Sequence, residues 1–278
     1  MKSFITTASP PYRIIIWTAM ISMSWLACRV QKIPATTDQE HSLVIQGPLW
    51  GAMWQQKAAE YKALCYQAFN IARLRLDAIL LQPHNLPLAI VTDIDETVLD
   101  NSPYTVHQVL HESGYAENSW IEWTARSECD TIPGGLSFLK YASSKDVQVF
   151  YITNRVAEEK EPTLKNLQRW NFPNADQEHL FLRQTISGKE PRRGIVAQKH
   201  EIVMLLGDNL SDFSAAFDKQ PFEKRDAAVT NNASLFGNRF IVLPNVAYGD
   251  WEGALYNFNY KLTPAQKDSI IQLQLKTY

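Results

Sequence analysis

The chain has 278 residues, 45% of them hydrophobic, and a formal net charge of -2 at pH 7. That length and apolar content suffice for one sizeable core, and the near-neutral balance offers no extended basic surface, so a nucleic-acid polymer is excluded as a bulk partner. The aromatics, 8 Trp, 11 Tyr and 12 Phe, are ample for core building and leave some for a ligand platform.

Lys2 and Arg13 precede an apolar run, Ile14 to Met23, that is too short to span a bilayer comfortably and reads as a targeting signal. Leu26-Ala27-Cys28 closes the run and resembles the processing site of bacterial lipoproteins, where the Cys becomes the lipidated first residue of the mature chain. That resemblance implies a signal peptide over 1–27, export, and a lipid on Cys28 that attaches the protein to the bacterial cell envelope, with the outer membrane as the expected location. Residues 28–46 are polar and include Pro34, Thr36, Thr37 and Asp38, the composition of a tether. Residues 47–278 are expected to form the folded domain. Cys65 and Cys129 lack the spacing of a metal cluster and are read as buried free thiols.

Apolar residues at helical spacing from Met53 to Leu81 predict one long amphipathic helix or a helix pair, broken by Gln82-Pro83-His84-Asn85-Leu86-Pro87. Leu88-Ala89-Ile90-Val91-Thr92 is a strand that ends in Asp93-Ile94-Asp95-Glu96-Thr97. Residues one apart on a strand point to opposite faces, so Asp93 and Asp95 can share a centre only if the chain curls as the strand ends. Crowded carboxylates repel, which points to a hard divalent cation between them. About fifty residues separate this strand from the next, far more than a simple crossover needs, so a helical cap is expected over about 101–145. Val147 to Ile152 is a second strand, and the Thr153, Asn154 and Arg155 side chains at its end suit phosphate oxygens. Ser187 to Arg193 forms a basic loop in which Glu190, Arg192 and Arg193 read as solvated neighbours of Lys189. Ile202 to Leu206 is a third strand, left through Gly207 and followed by Asp208 and Asp212. Thr163 to Trp170 and Ser211 to Asp218 look helical, Asn238 to Leu243 reads as a late strand, and Thr263 caps a terminal helix over Pro264 to Leu275. Acids and bases after three strands can meet at the carboxyl edge of a parallel sheet, where open α/β folds bind ligands.

The block Asp93-Ile94-Asp95-Glu96-Thr97, then Thr153, Lys189 and Gly207-Asp208-Asn209-x-x-Asp212, resembles the four motifs of the haloacid dehalogenase-like phosphohydrolases. Asp95 to Tyr104 and Leu243-Pro244-Asn245-x-x-Tyr248-Gly249-x-Trp251-Glu252-Gly253 narrow the likeness to the bacterial class C acid phosphatases, also described as the lipoprotein 5′-nucleotidase family. The resemblance implies an α/β fold of three layers, with a parallel central sheet and a mainly helical cap. It implies Asp93 as nucleophile and Asp95 as acid and base, with Thr153 and Lys189 on the phosphoryl group. One Mg²⁺ would be held by Asp93, the Asp95 carbonyl and Asp208, with Asp212 orienting Lys189 or a metal-bound water; Mn²⁺ and Co²⁺ also suit such a site. Trp120 and Tyr248 would stack on the base of a nucleoside monophosphate, and Asn154, Asn101 and Tyr104 would line the same pocket. The substrates implied are small phosphomonoesters, 5′-nucleotides and aryl phosphates first, with a homodimer as a further partner state. Sugar or cofactor phosphates, and a catalytically silent ligand-binding lipoprotein, stay open as alternatives.

Overall fold

A computed structural model describes residues 42–278; the segment read as signal peptide, Cys28 and most of the tether lie outside the described residues. At its centre is β1 (Leu88–Thr92), buried along its whole length. Ile90 joins a core with Phe69, Leu76, Leu139 and Leu167, while Ala89 and Val91 join a second core with Val196, Phe213 and Phe217. A strand covered on both faces has no polar side, which is why it appears in the sequence as an unbroken apolar run.

Five parallel strands make the sheet in the order β5-β4-β1-β6-β7, with β4 (Gln148–Ile152) and β6 (Glu201–Gly207) flanking β1, and β5 (Leu180–Phe181) and β7 (Phe240–Val242) at the edges. Because β4 lies on one side of β1 and β6 on the other, connections diverge at the carboxyl end of β1 and leave a crevice there. A two-stranded antiparallel ribbon, β2 (Leu99–Asp100) with β3 (Asp130–Thr131), stands beside it. Helices α1 (Leu43–Lys57) and α2 (Ala59–Ile79) precede β1. The long connection to β4 holds α3 (Ser102–Leu110), α4 (Glu117–Thr124) and α5 (Gly135–Ser143), the last packed with α2 on the sheet. Then follow α6 (Lys160–Arg169), α7 (Glu190–Ala197), α8 (Phe222–Asn231), α9 (Asp250–Leu255) and α10 (Pro264–Gln274). This is the three-layer α/β arrangement that the sequence predicts. None of the described helices is long and apolar enough to cross a membrane.

The differences from expectation have local causes. The helical stretch before β1 is a pair, parted where Ala58 turns extended at ψ 126°. Helix α1 begins at Leu43, inside the segment read as tether, because Gly47 and Pro48 disguise a helix that other contacts hold in place. Its first amides, Leu43 N and Val44 N, donate to the Asp268 carboxylate of α10 at 3.0 Å each. Ser211 to Asp218 forms two short 3₁₀ turns, Leu210–Asp212 and Ala215–Phe217, rather than a helix, since Ser214 accepts from Ala216 N and restarts the turn. Helix α10 begins as expected on Thr263, whose hydroxyl accepts from Gln266 N at 3.3 Å.

Helix α1 lies close to the late loop at Gly51, where an added Cβ would come within 2.7 Å of the Ala247 Cα. A Gly51→Val substitution is therefore expected to lower unfolding free energy by about 1–3 kcal/mol, as overpacking does, read from urea denaturation.

Candidate active site

Asp93 extends β1 by one residue, its amide donating to Leu206 O at 2.9 Å. The chain then curls: Leu99 N and Glu96 N bond Ile94 O and Leu99 O, and Glu96 takes a left-handed backbone at φ 57°. That curl brings Asp93 and Asp95 to one crevice and leaves the Asp95 carbonyl outside the loop's own pairing.

The Lys189 ammonium, at the start of α7, bonds Asp93 Oδ1 and also Asp212 Oδ1 at 2.7 Å. All three side chains are buried. The second Asp212 oxygen accepts from Asn209 N at 3.1 Å, so both its oxygens are engaged. Asp208 accepts from Asn245 Nδ2 at 2.8 Å and from Thr97 Oγ1 at 3.2 Å. Oxygens of Asp93, Asp208 and Asp212 lie within 4.8 Å of one another. Gly207 makes this approach possible, since a Cβ there would stand within 2.8 Å of Asp212 Cγ.

Three carboxylates against one ammonium leave negative charge unmatched, at about 4 kcal/mol per pair at 4 Å and an effective dielectric of 20. Burial, partly offset by Lys189 and reinforced by Asp212, Asp208 and Asp95, holds the Asp93 carboxyl well above the usual carboxylate range. Burial and the Asp212 charge push Asp208 up to about 7. Burial works against the Lys189 charge, but Asp212 and Asp93 outweigh it and raise that group. An all-oxygen cluster with excess negative charge fits a hard divalent cation, and Asp93, Asp208 and Asp212 are the carboxylates grouped closely enough to hold one.

Asp95 is fixed by a fork that the sequence did not reveal. Arg155 Nη2 and Nε donate to Asp95 Oδ1 at 2.7 and 3.1 Å, and Asn101 Nδ2 donates to the same oxygen at 2.9 Å. The Thr153 hydroxyl makes a long contact of 3.4 Å to Asp95 Oδ2. Arg155, which the sequence offers to phosphate, is instead fully engaged by Asp95 and by Thr163 Oγ1 at 3.1 Å. Arg192 and Arg193, expected to be solvated, are buried: Arg192 donates to Thr153 O, to Asn154 Oδ1 at 2.9 Å and to Ser187 O at 2.8 Å, and Arg193 to Asp212 O at 2.6 Å. Loop carbonyls need donors when buried, and these two guanidinium groups supply them.

The pocket residues divide. Trp120 is half-buried, edge-on to Tyr104 at 5.0 Å, with the Arg155 guanidinium 6.0 Å from its ring centre. Tyr248 is half-buried and its hydroxyl donates to Glu96 Oε1 at 3.3 Å. Asn154 is exposed. Asn101 is buried with both ends of its amide engaged, the oxygen accepting from Trp123 Nε1 at 2.9 Å. The Tyr104 hydroxyl is 2.9 Å from Ser119 Oγ. Asn101 and Tyr104 therefore support the residues around them. Cys65 and Cys129 are buried free thiols, as expected.

A model of the HAD superfamily, subfamily IIIB (acid phosphatase), matches residues 15–251. Two solved structures of the class C acid phosphatase from Bacillus anthracis, one with tungstate bound, are similar at 44% identity and a TM-score of 0.82, covering 85% and 84% of this chain and 99% of theirs. The stem 31 kDa glycoprotein of Glycine max is 26% identical over 125 residues, 43% of this chain, which spans about half (49%) of that curated relative.

The raised carboxyls give a stability test. Asp208 holds its proton more tightly folded than unfolded, so ionising it costs stability progressively as pH rises from about 3.8 to about 7. Chelated protein is expected to melt lower at pH 7 than at pH 5, and a divalent cation to raise Tm more at pH 7. Calorimetry showing an equal cation effect at both values would remove the cluster as the binding site.

Proposed function

We propose that this chain, which belongs to the acid phosphatases of HAD superfamily subfamily IIIB and is a phosphoric monoester hydrolase, acts with Mg²⁺ on 5′-nucleotides and aryl phosphates through an aspartyl phosphate on Asp93. The observation that carries this reading is Asp93 at the end of the central strand, bonded to the buried Lys189 ammonium and grouped with Asp208.

In the proposed reaction an Asp93 oxygen attacks phosphorus while the bond to the leaving oxygen breaks, and protonated Asp95 gives that oxygen its proton. Water then attacks the phosphorus of the aspartyl phosphate and loses a proton to Asp95, which releases phosphate and returns both carboxyls to their starting states. Lys189 and the Thr153 hydroxyl bind phosphoryl oxygens, where fixed donors act most strongly on developing charge. Asp212 orients the Lys189 ammonium, and Arg155 and Asn101 fix the Asp95 carboxyl that moves the proton. Mg²⁺ on Asp93, Asp208 and the Asp95 carbonyl would supply Lewis-acid polarisation of the phosphoryl group and relieve carboxylate repulsion.

Trp120 and Tyr248 support the choice of substrate, since aromatic faces stack on any base or aryl ring for about 1–3 kcal/mol each. Export and a lipid on Cys28 complete the proposal, supported by the Leu26-Ala27-Cys28 string after an apolar core.

Phosphate release from a panel of 5′-nucleotides, 3′-nucleotides, sugar phosphates and an aryl phosphate tests the reading. Mg²⁺-dependent turnover abolished by chelator and by Asp93→Asn is expected; an active Asp93→Asn enzyme would refute the nucleophile. Asp95→Asn is expected to lose roughly 10²- to 10⁴-fold in kcat, the usual worth of a positioned acid and base, and to lower Tm, because the buried Arg155 guanidinium loses its anionic partner. For the anchor, Cys28→Ser should move the protein from the membrane pellet to the soluble fraction, and unchanged fractionation would exclude lipidation there.

A further inference from the structure

Glu96 is a buried carboxyl that the reaction above does not use. It is 1% exposed and sits in the left-handed turn after Asp95, a backbone that a residue with a Cβ adopts only under constraint. The donors around it come from three separate segments. Its Oε1 accepts from Asn101 N at 3.0 Å and from the Tyr248 hydroxyl at 3.3 Å, and its Oε2 accepts from Gln55 Nε2 of α1. The same Gln55 nitrogen donates to Asp100 Oδ1 at 2.8 Å. With a carboxylate oxygen on each side, the Gln55 amide has one workable orientation, because a flip would set its oxygen against two acceptors. Among the described residues no hydrogen bond joins Glu96 to Asp93, Lys189, Asp208 or Asp212.

We propose that Glu96 is a positioning residue for leaving-group selectivity: it holds the Tyr248 ring through its hydroxyl, and Gln55 holds Glu96, so helix α1 influences substrate choice without touching substrate. This rests on the reading that Tyr248 stacks on an aromatic leaving group. The three groups that meet Glu96 are all donors, which suits two accepting oxygens at 96. An amide there would keep one acceptor and turn an N–H toward the N–H of Gln55.

The test compares kcat and KM for p-nitrophenyl phosphate and 5′-AMP with those for glycerol phosphate, using the full chain with Mg²⁺. For Tyr248→Phe and Glu96→Gln the aromatic-over-aliphatic ratio of kcat/KM is expected to fall about fivefold, the worth of one net hydrogen bond, with the loss in KM. The two changes together are expected to cost no more than either alone, as for residues acting through one contact. An unchanged ratio in Tyr248→Phe, or a Glu96→Gln loss confined to kcat on both substrate types, would overturn the proposal. If Glu96→Gln does not fold, Tyr248→Phe alone decides. Tyr248→Ala separates the two levels: no loss of aromatic preference would refute the stacking reading and the proposal together, whereas a loss in Tyr248→Ala with none in Tyr248→Phe would refute the proposal alone.

Discussion

The repulsion among carboxylates at the end of β1 is the constraint around which the site is built. Asp93, Asp208 and Asp212 are brought within a few ångströms by two adjacent parallel strands, and the Lys189 ammonium is the one positive group among the described residues that bonds two of them. The bare backbone of Gly207 admits Asp212 to this distance. Arg193 donates to the Asp212 carbonyl, which ties the loop carrying the third acid to α7. Above the pH at which these acids ionise, the excess buried charge gives a small cation a reason to bind.

Asp95 and Glu96 are neighbours in the chain yet are held by opposite means. Asp95 is gripped by a guanidinium fork and an amide, a cationic clamp on a carboxyl that reaches the crevice. Glu96 turns the other way and collects neutral donors from an amide, a phenol and a backbone N–H. Each pocket aromatic is connected to one of the two: Trp120 lies near the Arg155 that grips Asp95, and Tyr248 bonds Glu96. The loop at the end of one strand thus organises both the reacting centre and the two rings beside it.

What the sequence discloses follows from how local each feature is. The three central strands are legible because burial on both faces demands uninterrupted apolar residues, and the acids that follow them are legible because strand ends announce where loops converge. Helix α10 is readable from Thr263 and Gln266 alone. Helix α1 is not, since Gly47 and Pro48 argue against it and its stabilising partners are far along the chain. The role of Glu96 is hidden for the same reason: Gln55 is 41 residues before it and Tyr248 152 after. Arg155, Arg192 and Arg193 look like solvent-facing charge because a sequence displays a side chain's charge and conceals the carboxylate or carbonyl waiting for it in the fold.

The cap that Asp268 places on α1 joins residues more than two hundred positions apart. Synthesis delivers Leu43 long before Asp268, so the first amides of α1 gain this acceptor only after the intervening segments have been made. The same helix presents Gln55 to Glu96, so the Asp268 cap and the Glu96 contact act on one element. A chain clipped before α10 would carry Asp93, Asp95, Lys189 and Asp208 and still lack the acceptor at the start of α1.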